Sequence, residues 1–221
     1  MIGNQTILPF LLLMNKSDNY MAPSSSHQAK QPLTAESLAD WLRDHARDKS
    51  DWKIGTEHEK FIFHRGTFRP AAYDGKEGIG ALLNALKSRY SMRPIMEHDY
   101  LIGLIDETGG SITLEPGGQF ELSGAPLKTL HQTCRETGTH LKQMMSVISE
   151  LNLCMLGVGF QPLWGRDDCH WMPKGRYRIM RDYMQKKGAL GLDMMLRTCT
   201  VQVNLDFSSE QDMIRKFRAS L

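Results

Sequence analysis

The chain has 221 residues, 41% of them hydrophobic, enough for one large domain or for the front part of a longer one. Its 27 Lys and Arg stand against 25 Asp and Glu, and a net charge of +2 predicts neither a nucleic-acid binder nor a strongly acidic partner. It has no run of about 18 apolar residues, which excludes a membrane-spanning helix.

In chain order, residues 1–32 read as a flexible tail and 33–221 as the folded part. Ile7 to Met14 form a short apolar run, but Pro9 interrupts it, no Lys or Arg precedes it and no small-residue cleavage site follows, so no signal peptide is expected. Met21 opens the polar tract Ala22-Pro23-Ser24-Ser25-Ser26-His27-Gln28, which makes residues 1–20 read as an upstream extension of the true start. Thr34 is a capping residue before Leu38, Trp41 and Leu42 at helical spacing, and a helix over 35–47 follows from that.

The segment Ile54 to Phe63 is rich in β-favouring residues, and its Glu57 and Glu59 share one face of an extended strand. Tyr73-Asp74-Gly75-Lys76-Glu77-Gly78 leads into an amphipathic helix carrying Ile79, Leu82, Leu83 and Leu86. Leu101 to Ile105 reads as a strand, turned by Asp106-Glu107-Thr108-Gly109-Gly110 into a hairpin from Ser111 to Gly124. In that hairpin Ile112, Leu114, Phe120 and Leu122 alternate with polar residues around Pro116-Gly117-Gly118. Thr113 and Glu115 therefore point one way before the turn, and Gln119 and Glu121 point one way after it.

A long apolar stripe from Leu127 to Leu151 predicts a helix packed over the sheet. Its His131 and His140 fit no metal-pair spacing and read as surface or core packing. Cys154 to Phe160 reads as a buried strand whose Gly157 and Gly159 either make room for a ligand or allow close packing. Tyr177, Met180, Tyr183 and Met184 mark a helix, with Arg176 where a loop enters it and Arg178 and Arg181 on a solvated face. Cys199 to Phe207 alternates cleanly, Val201, Val203, Leu205 and Phe207 against Gln202, Asn204 and Asp206. Ser208 to Asp212 then starts a helix that carries Met213, Ile214, Phe217 and Leu221. Helices interleaved with consecutive strands indicate an α+β fold with an antiparallel sheet flanked by helices.

Three strands thus offer rows of oxygen-bearing side chains. Two like charges about 6 Å apart on one strand face repel by roughly 3 kcal/mol at an effective dielectric near 20, so a cation is expected between them. Hard cations such as Mg²⁺ take carboxylate and amide oxygens and share their shell with phosphates, which points to phosphoryl transfer on a sheet face. The plainer reading is that these are ordinary exposed acids on half-buried strands. Arg176 and Arg197 are either anion contacts or partners of local acids; a planar fork at a loop–helix junction suits a carboxylate or phosphate.

Gly55-Thr56-Glu57-His58-Glu59-Lys60-Phe61, Leu114-Glu115-Pro116-Gly117-Gly118-Gln119-Phe120-Glu121-Leu122-Ser123-Gly124, Met172-Pro173-Lys174-Gly175-Arg176-Tyr177 and the run from Met194 to Asp206 together resemble glutamate-cysteine ligase of the plant and proteobacterial type. The resemblance covers about Leu33 to the end of the chain. It implies a glutamine synthetase-like antiparallel sheet curved around a funnel. It also implies the ATP-dependent joining of the γ-carboxylate of L-glutamate to L-cysteine through an acyl phosphate, the first step of glutathione biosynthesis. On these positions it implies Glu57, Glu59 and Glu121 as catalytic residues, and Glu57, Glu59, Glu115, Gln119 and Glu121 as Mg²⁺ ligands. Arg176, Arg197, Gln202 and Asn204 would contact substrate, with glutamate, cysteine and ATP as the small-molecule partners.

Members of that family are considerably longer, so residues 33–221 are expected to be the N-terminal part of the catalytic domain, apparently truncated. A second reading follows: a catalytically incomplete fragment that self-associates or pairs with a full-length subunit. No CxxC pair occurs among Cys134, Cys154, Cys169 and Cys199, so structural zinc is not expected. Without a secretory signal they read as reduced thiols of a cytoplasmic protein, Cys169 being the one expected to be exposed.

Overall fold

The structure, a computed structural model, describes residues 34–221; the readings made for the tail, the early apolar run and the start at Met21 lie outside them. Helix α1 (Ala35–Asp44) opens on a reciprocal cap between Thr34 and Ser37. It stops short of the expected residue 47 because His45 N turns back to Leu42 O, tightening the last turn. The remaining elements are β1 (Ile54–His64), α2 (Ile79–Tyr90), β2 (Arg93–Glu97), β3 (Tyr100–Ile105), β4 (Ser111–Leu114), β5 (Phe120–Ser123), α3 (Leu130–Ile148), β6 (Leu153–Leu156), α4 (Gly175–Lys187), α5 (Gly191–Arg197), β7 (Val201–Leu205) and α6 (Glu210–Ser220).

The fold is α+β, with every strand pairing antiparallel. The sheet runs β2-β3-β4-β5-β1-β6, and β7 also pairs β1. Strand β1 is the pivot. Thr56 O accepts from Gly124 N on the β5 side, and Glu59 N donates to Thr200 O on the β7 side, so alternate residues of β1 bond to opposite neighbours. Along that second side β7 covers Ile54 to His58 and β6 covers Phe61 to His64.

One face of the sheet is closed by α2 and α3. Leu82, Leu83 and Leu86 of α2 and Met144 and Val147 of α3 are fully buried against Leu104, Leu114, Phe120 and Leu153. Each such side chain contributes about 1.5–3 kcal/mol of burial, so this layer dominates stability. The other face carries Glu57 and Glu59 and, two residues further, Phe61. Around Phe61 a second cluster gathers Trp164, Cys169, Met195, Leu196 and Cys199. The excursion from residue 157 to 199 thus folds back over the acidic face at one end.

Several expectations are corrected here. The strand expected over Cys154 to Phe160 is limited to Leu153–Leu156, and only Leu153 in it is buried. Beyond it Gly157 packs closely against the Lys60 side chain, while a side chain at Gly159 would meet nothing within 4 Å. Strand β2 and the seven-residue α5 were not expected at all. Cys169 is buried, its thiol reaching Gly165 O and Leu196 O, and the exposed thiol is Cys134. Among the described residues no helix is long and apolar enough to cross a membrane.

Candidate active site

The register decides whether the polar rows coincide. Glu59 of β1 lies directly opposite Glu121 of β5, and Glu121 directly opposite Thr113 of β4. Residues directly opposite across an antiparallel pair share a face and stand about 5 Å apart at Cβ. Glu57 falls in the next row, opposite Gln202 of β7 and Ser123 of β5, and Asn204 lies opposite Gly55 in the row after. Glu115, two residues on from Thr113, continues the same face into the turn. Four carboxylates and two amides therefore meet on one polar surface.

The turn that aims Glu115 is made by Pro116-Gly117-Gly118. Gly118 N closes on Glu115 O at 2.9 Å, and Gly118 itself holds φ +83, a left-handed position suited to glycine. A side-chain carbon on Gly117 would stand 2.7 Å from Leu196 O, so glycine there lets the turn lie against the end of α5.

Hydrogen bonds orient the acids. Both Glu59 oxygens accept from Thr200, from its hydroxyl at 2.7 Å and its N–H at 3.0 Å. Asn204 Nδ2 donates to Glu57 Oε1 at 2.9 Å, and the Thr113 hydroxyl donates to Glu121. Burial, reinforced by Glu121, pushes the Glu115 carboxyl up to about 7, against the pull of Lys174 and Arg176. Burial likewise raises Glu121, with Glu57 and Glu59 adding repulsion.

Positive charge arrives from the start of α4. Arg176 Nη2 lies 3.7 Å from Glu115 Oε1, its guanidinium 5.1 Å from the centre of the Tyr177 ring. Lys174 Nζ donates to Leu114 O at 2.7 Å, and the Tyr177 hydroxyl donates to the same carbonyl. Burial, then Arg176, lowers the Lys174 pKa from its ordinary value, which is the sign expected for an ammonium withdrawn from water.

Of the residues singled out from the sequence, Glu57, Glu59, Glu115, Glu121, Gln202, Asn204 and Arg176 come together on this surface. Gln119 and Arg197 have other engagements. Gln119 is buried, its oxygen accepting from Gly117 N while its amide donates to Met195 O and Thr198 O, so its polar atoms are consumed in holding the turn. Arg197 Nη1 bonds Asp193 Oδ1 at 2.9 Å and its guanidinium lies over Phe160. Asp193 is shared with Arg166, and bonds from the two arginines, Arg166 first, hold its carboxyl down to about 2. Lys174 and Thr200 were missed, Tyr177 was read only as part of a helix, and Thr113 was placed on the face of Glu115 without a role. Lys174 stands within the recognised Met172 to Tyr177 motif, the one signal that pointed to it.

The family model for "Glutamate-cysteine ligase family 2" matches residues 53–221. The chain is 59% identical over 193 residues to a chloroplastic glutamate-cysteine ligase of Brassica juncea, covering 87% of this chain and 37% of that protein. It is 59% identical to the Nicotiana tabacum counterpart over 36% of its length, and 57% identical to chloroplastic ligase A of Oryza sativa subsp. japonica over 39%. The chain thus spans under two fifths of the length of these relatives. All three are chloroplastic proteins, which overturns the cytoplasmic placement drawn from the missing secretory signal; that argument separated secreted from non-secreted chains and could not tell one internal compartment from another. Four motifs in order, the antiparallel sheet onto which they fold and a family match over residues 53–221 agree: the chain belongs to glutamate-cysteine ligase family 2.

Proposed function

We propose that this chain supplies the acidic sheet of an ATP-dependent ligase that joins the γ-carboxylate of L-glutamate to the amino group of L-cysteine, giving γ-glutamylcysteine by way of an acyl phosphate. The observation that carries the reading is Glu59 directly opposite Glu121 on a face that Glu57 and Glu115 extend. Among the described residues no three His, Cys, Asp or Glu side chains form a ready-made metal cage. Mg²⁺ needs no such cage, since it is commonly held by one or two carboxylates and completed by substrate phosphates. The donor set is all hard oxygen, and burial first, with repulsion among the glutamates after it, raises Glu115 and Glu121, so a bound cation would favour their charged forms.

One or two of Glu57, Glu59, Glu115 and Glu121 would hold each ion, which when bound would neutralise charge on the phosphoryl group in transfer. Thr200 and Asn204 fix the rotamers of Glu59 and Glu57, so these acids are oriented before substrate enters. Arg176, largely exposed at the loop–helix junction, is placed to meet a substrate carboxylate, and Lys174 adds a second cation on the same side. By likeness to the named relatives, the compartment proposed is the chloroplast.

The test is ADP release by the purified chain supplied with Mg²⁺, ATP and glutamate, with and without cysteine. Release that depends on cysteine supports the reading; a folded sample that releases none, alone or with the remaining ligase polypeptide, overturns it. A second reading, a catalytically incomplete unit that works by assembling with further ligase polypeptide, is favoured by one observation: the apolar side chains of β7 are exposed.

A further inference from the structure

On the side of the sheet away from the carboxylates, a cavity of about 260 Å³ lies between strands β3 to β5 and helix α3. Leu104, Ile112 and Leu122 stand in one row across β3, β4 and β5 and form its floor, with Leu127 beside them. This row is the neighbour of the one that carries Thr113 and Glu121, so it faces the other way. The roof is α3, where Gln132, Glu136 and His140 follow one another four residues apart on one side of the helix.

His140 is the anomaly in this lining. It is 5% exposed, and its Nε2 is buried without a hydrogen-bond partner. A buried polar group left unpaired costs about 1–3 kcal/mol, so the fold keeps here a demand that no described residue meets. Two acids of the same lining are engaged by contrast: Asp106 Oδ1 accepts from the N–H groups of Thr108 and Gly110, and Glu136 Oε1 accepts from Ala125 N at 2.7 Å.

We propose that this cavity is a binding site for a small neutral molecule, an aryl or branched alkyl body bearing one hydroxyl that pairs with the His140 imidazole. Three observations set that class. Walls of leucine and isoleucine call for an apolar body, and the space suits a substituted ring, since about 150 Å³ is enough for benzene. A cation is disfavoured. Burial, then Lys60 and His58, hold the His140 pKa down to about 4 against the pull of Asp106, and a place that refuses a proton refuses an ammonium as well. An anion is disfavoured because Asp106 and Glu136 line the cavity, where Arg135 is exposed to water. A hydroxyl both donates and accepts, so it serves either tautomer of the neutral imidazole. The site rests on the fold and not on the ligation reading.

The test titrates the purified chain with p-cresol and follows the methyl resonances of Ile112 and Leu122 and the ring resonances of His140. Expected are saturable shifts of all three at about millimolar concentration or below, with the methyls of Leu196, in the second cluster, unmoved. Toluene, which has nearly the same body without the hydroxyl, should bind on the order of tenfold more weakly. His140→Phe should abolish that difference, and His140→Gln, which keeps a side-chain donor and acceptor, should retain part of it. Equal binding of toluene and p-cresol by the unaltered chain overturns the pairing with His140. Benzylamine or benzoate binding as tightly as p-cresol overturns the neutral class. Absence of any saturable shift leaves the cavity to water and overturns the site. These three comparisons use the unaltered chain and stand whether or not a variant folds.

Discussion

The β4–β5 hairpin and β7 follow one rule with opposite results. In both, apolar side chains alternate with polar ones, and in both the polar set joins the carboxylate surface. The hairpin's Ile112, Leu114, Phe120 and Leu122 are at most 3% exposed beneath α2 and α3, whereas Val201, Val203 and Leu205 of β7 lie bare. Alternation tells the two sides of a strand apart; whether anything covers the apolar side is settled by another part of the chain. That difference can be broken or sharpened by experiment.

The largest effect belongs to the covered side. Phe120→Ala should cost about 3–5 kcal/mol in a denaturant melt, as expected for emptying a fully buried aromatic site. A loss under about 1 kcal/mol would mean that the hairpin is no better packed than β7. Next is Gln119→Ala, which leaves Gly117 N and two carbonyls without their partner and should cost about 1–3 kcal/mol. An unchanged melt would return the Gln119 amide to the pool of free ligands.

A smaller effect compares the polar sides. The Glu115 carboxyl titrates near 7 in the folded chain, above its ordinary 4.5, so the folded state holds a proton that the unfolded state has lost between those values. The stability attached to this group is complete below 4.5, falls as pH rises and is gone above 7. Mg²⁺ should offset that loss, so its gain in melting temperature should be larger at pH 8 than at pH 5, by about 2–4 °C. Glu121→Gln should shrink the gain and Gln202→Ala, on exposed β7, should leave it; equal loss in both would undo the distinction between acids and amides. Smallest of all, Val203→Lys in the isolated chain should change stability by no more than about 0.5 kcal/mol, because its side chain already meets water.

Local pattern carried much of the fold. Glu57, Glu59 and the hairpin were legible because period two survives in short strands, and α2 and α3 because leucines and methionines recur at helical spacing. Strand β2 was not: Arg93, Pro94, Met96 and Glu97 show no alternation, and only pairing with β3 makes them a strand. The seven residues of α5 are too few for a period to register. At the site, carboxylates announced themselves through charge, and the resemblance placed them in order. Lys174 and Tyr177 were harder because they bind a backbone carbonyl, an acceptor that every residue owns. Gln119 was read as a ligand for the converse reason: an amide looks available until the carbonyls that occupy it, Met195 O and Thr198 O, are seen. Arg197 was diverted by Asp193, four residues away on the same helix.

The carbonyl of Leu114 has one more consequence, for the order in which the protein takes shape. It is gripped by Lys174 and Tyr177, 60 and 63 residues downstream. A nascent chain that has emerged only as far as β6 already possesses all four acids and the hairpin that bears two of them, yet lacks the clasp that holds Glu115 in place. Contacts of such long sequence separation form late and slowly. The charged surface is therefore made early and tuned later in two steps, when the segment leading into α4 folds back onto Leu114 and when β7 pairs with β1 and brings Thr200 and Asn204 to Glu59 and Glu57, 141 and 147 residues upstream.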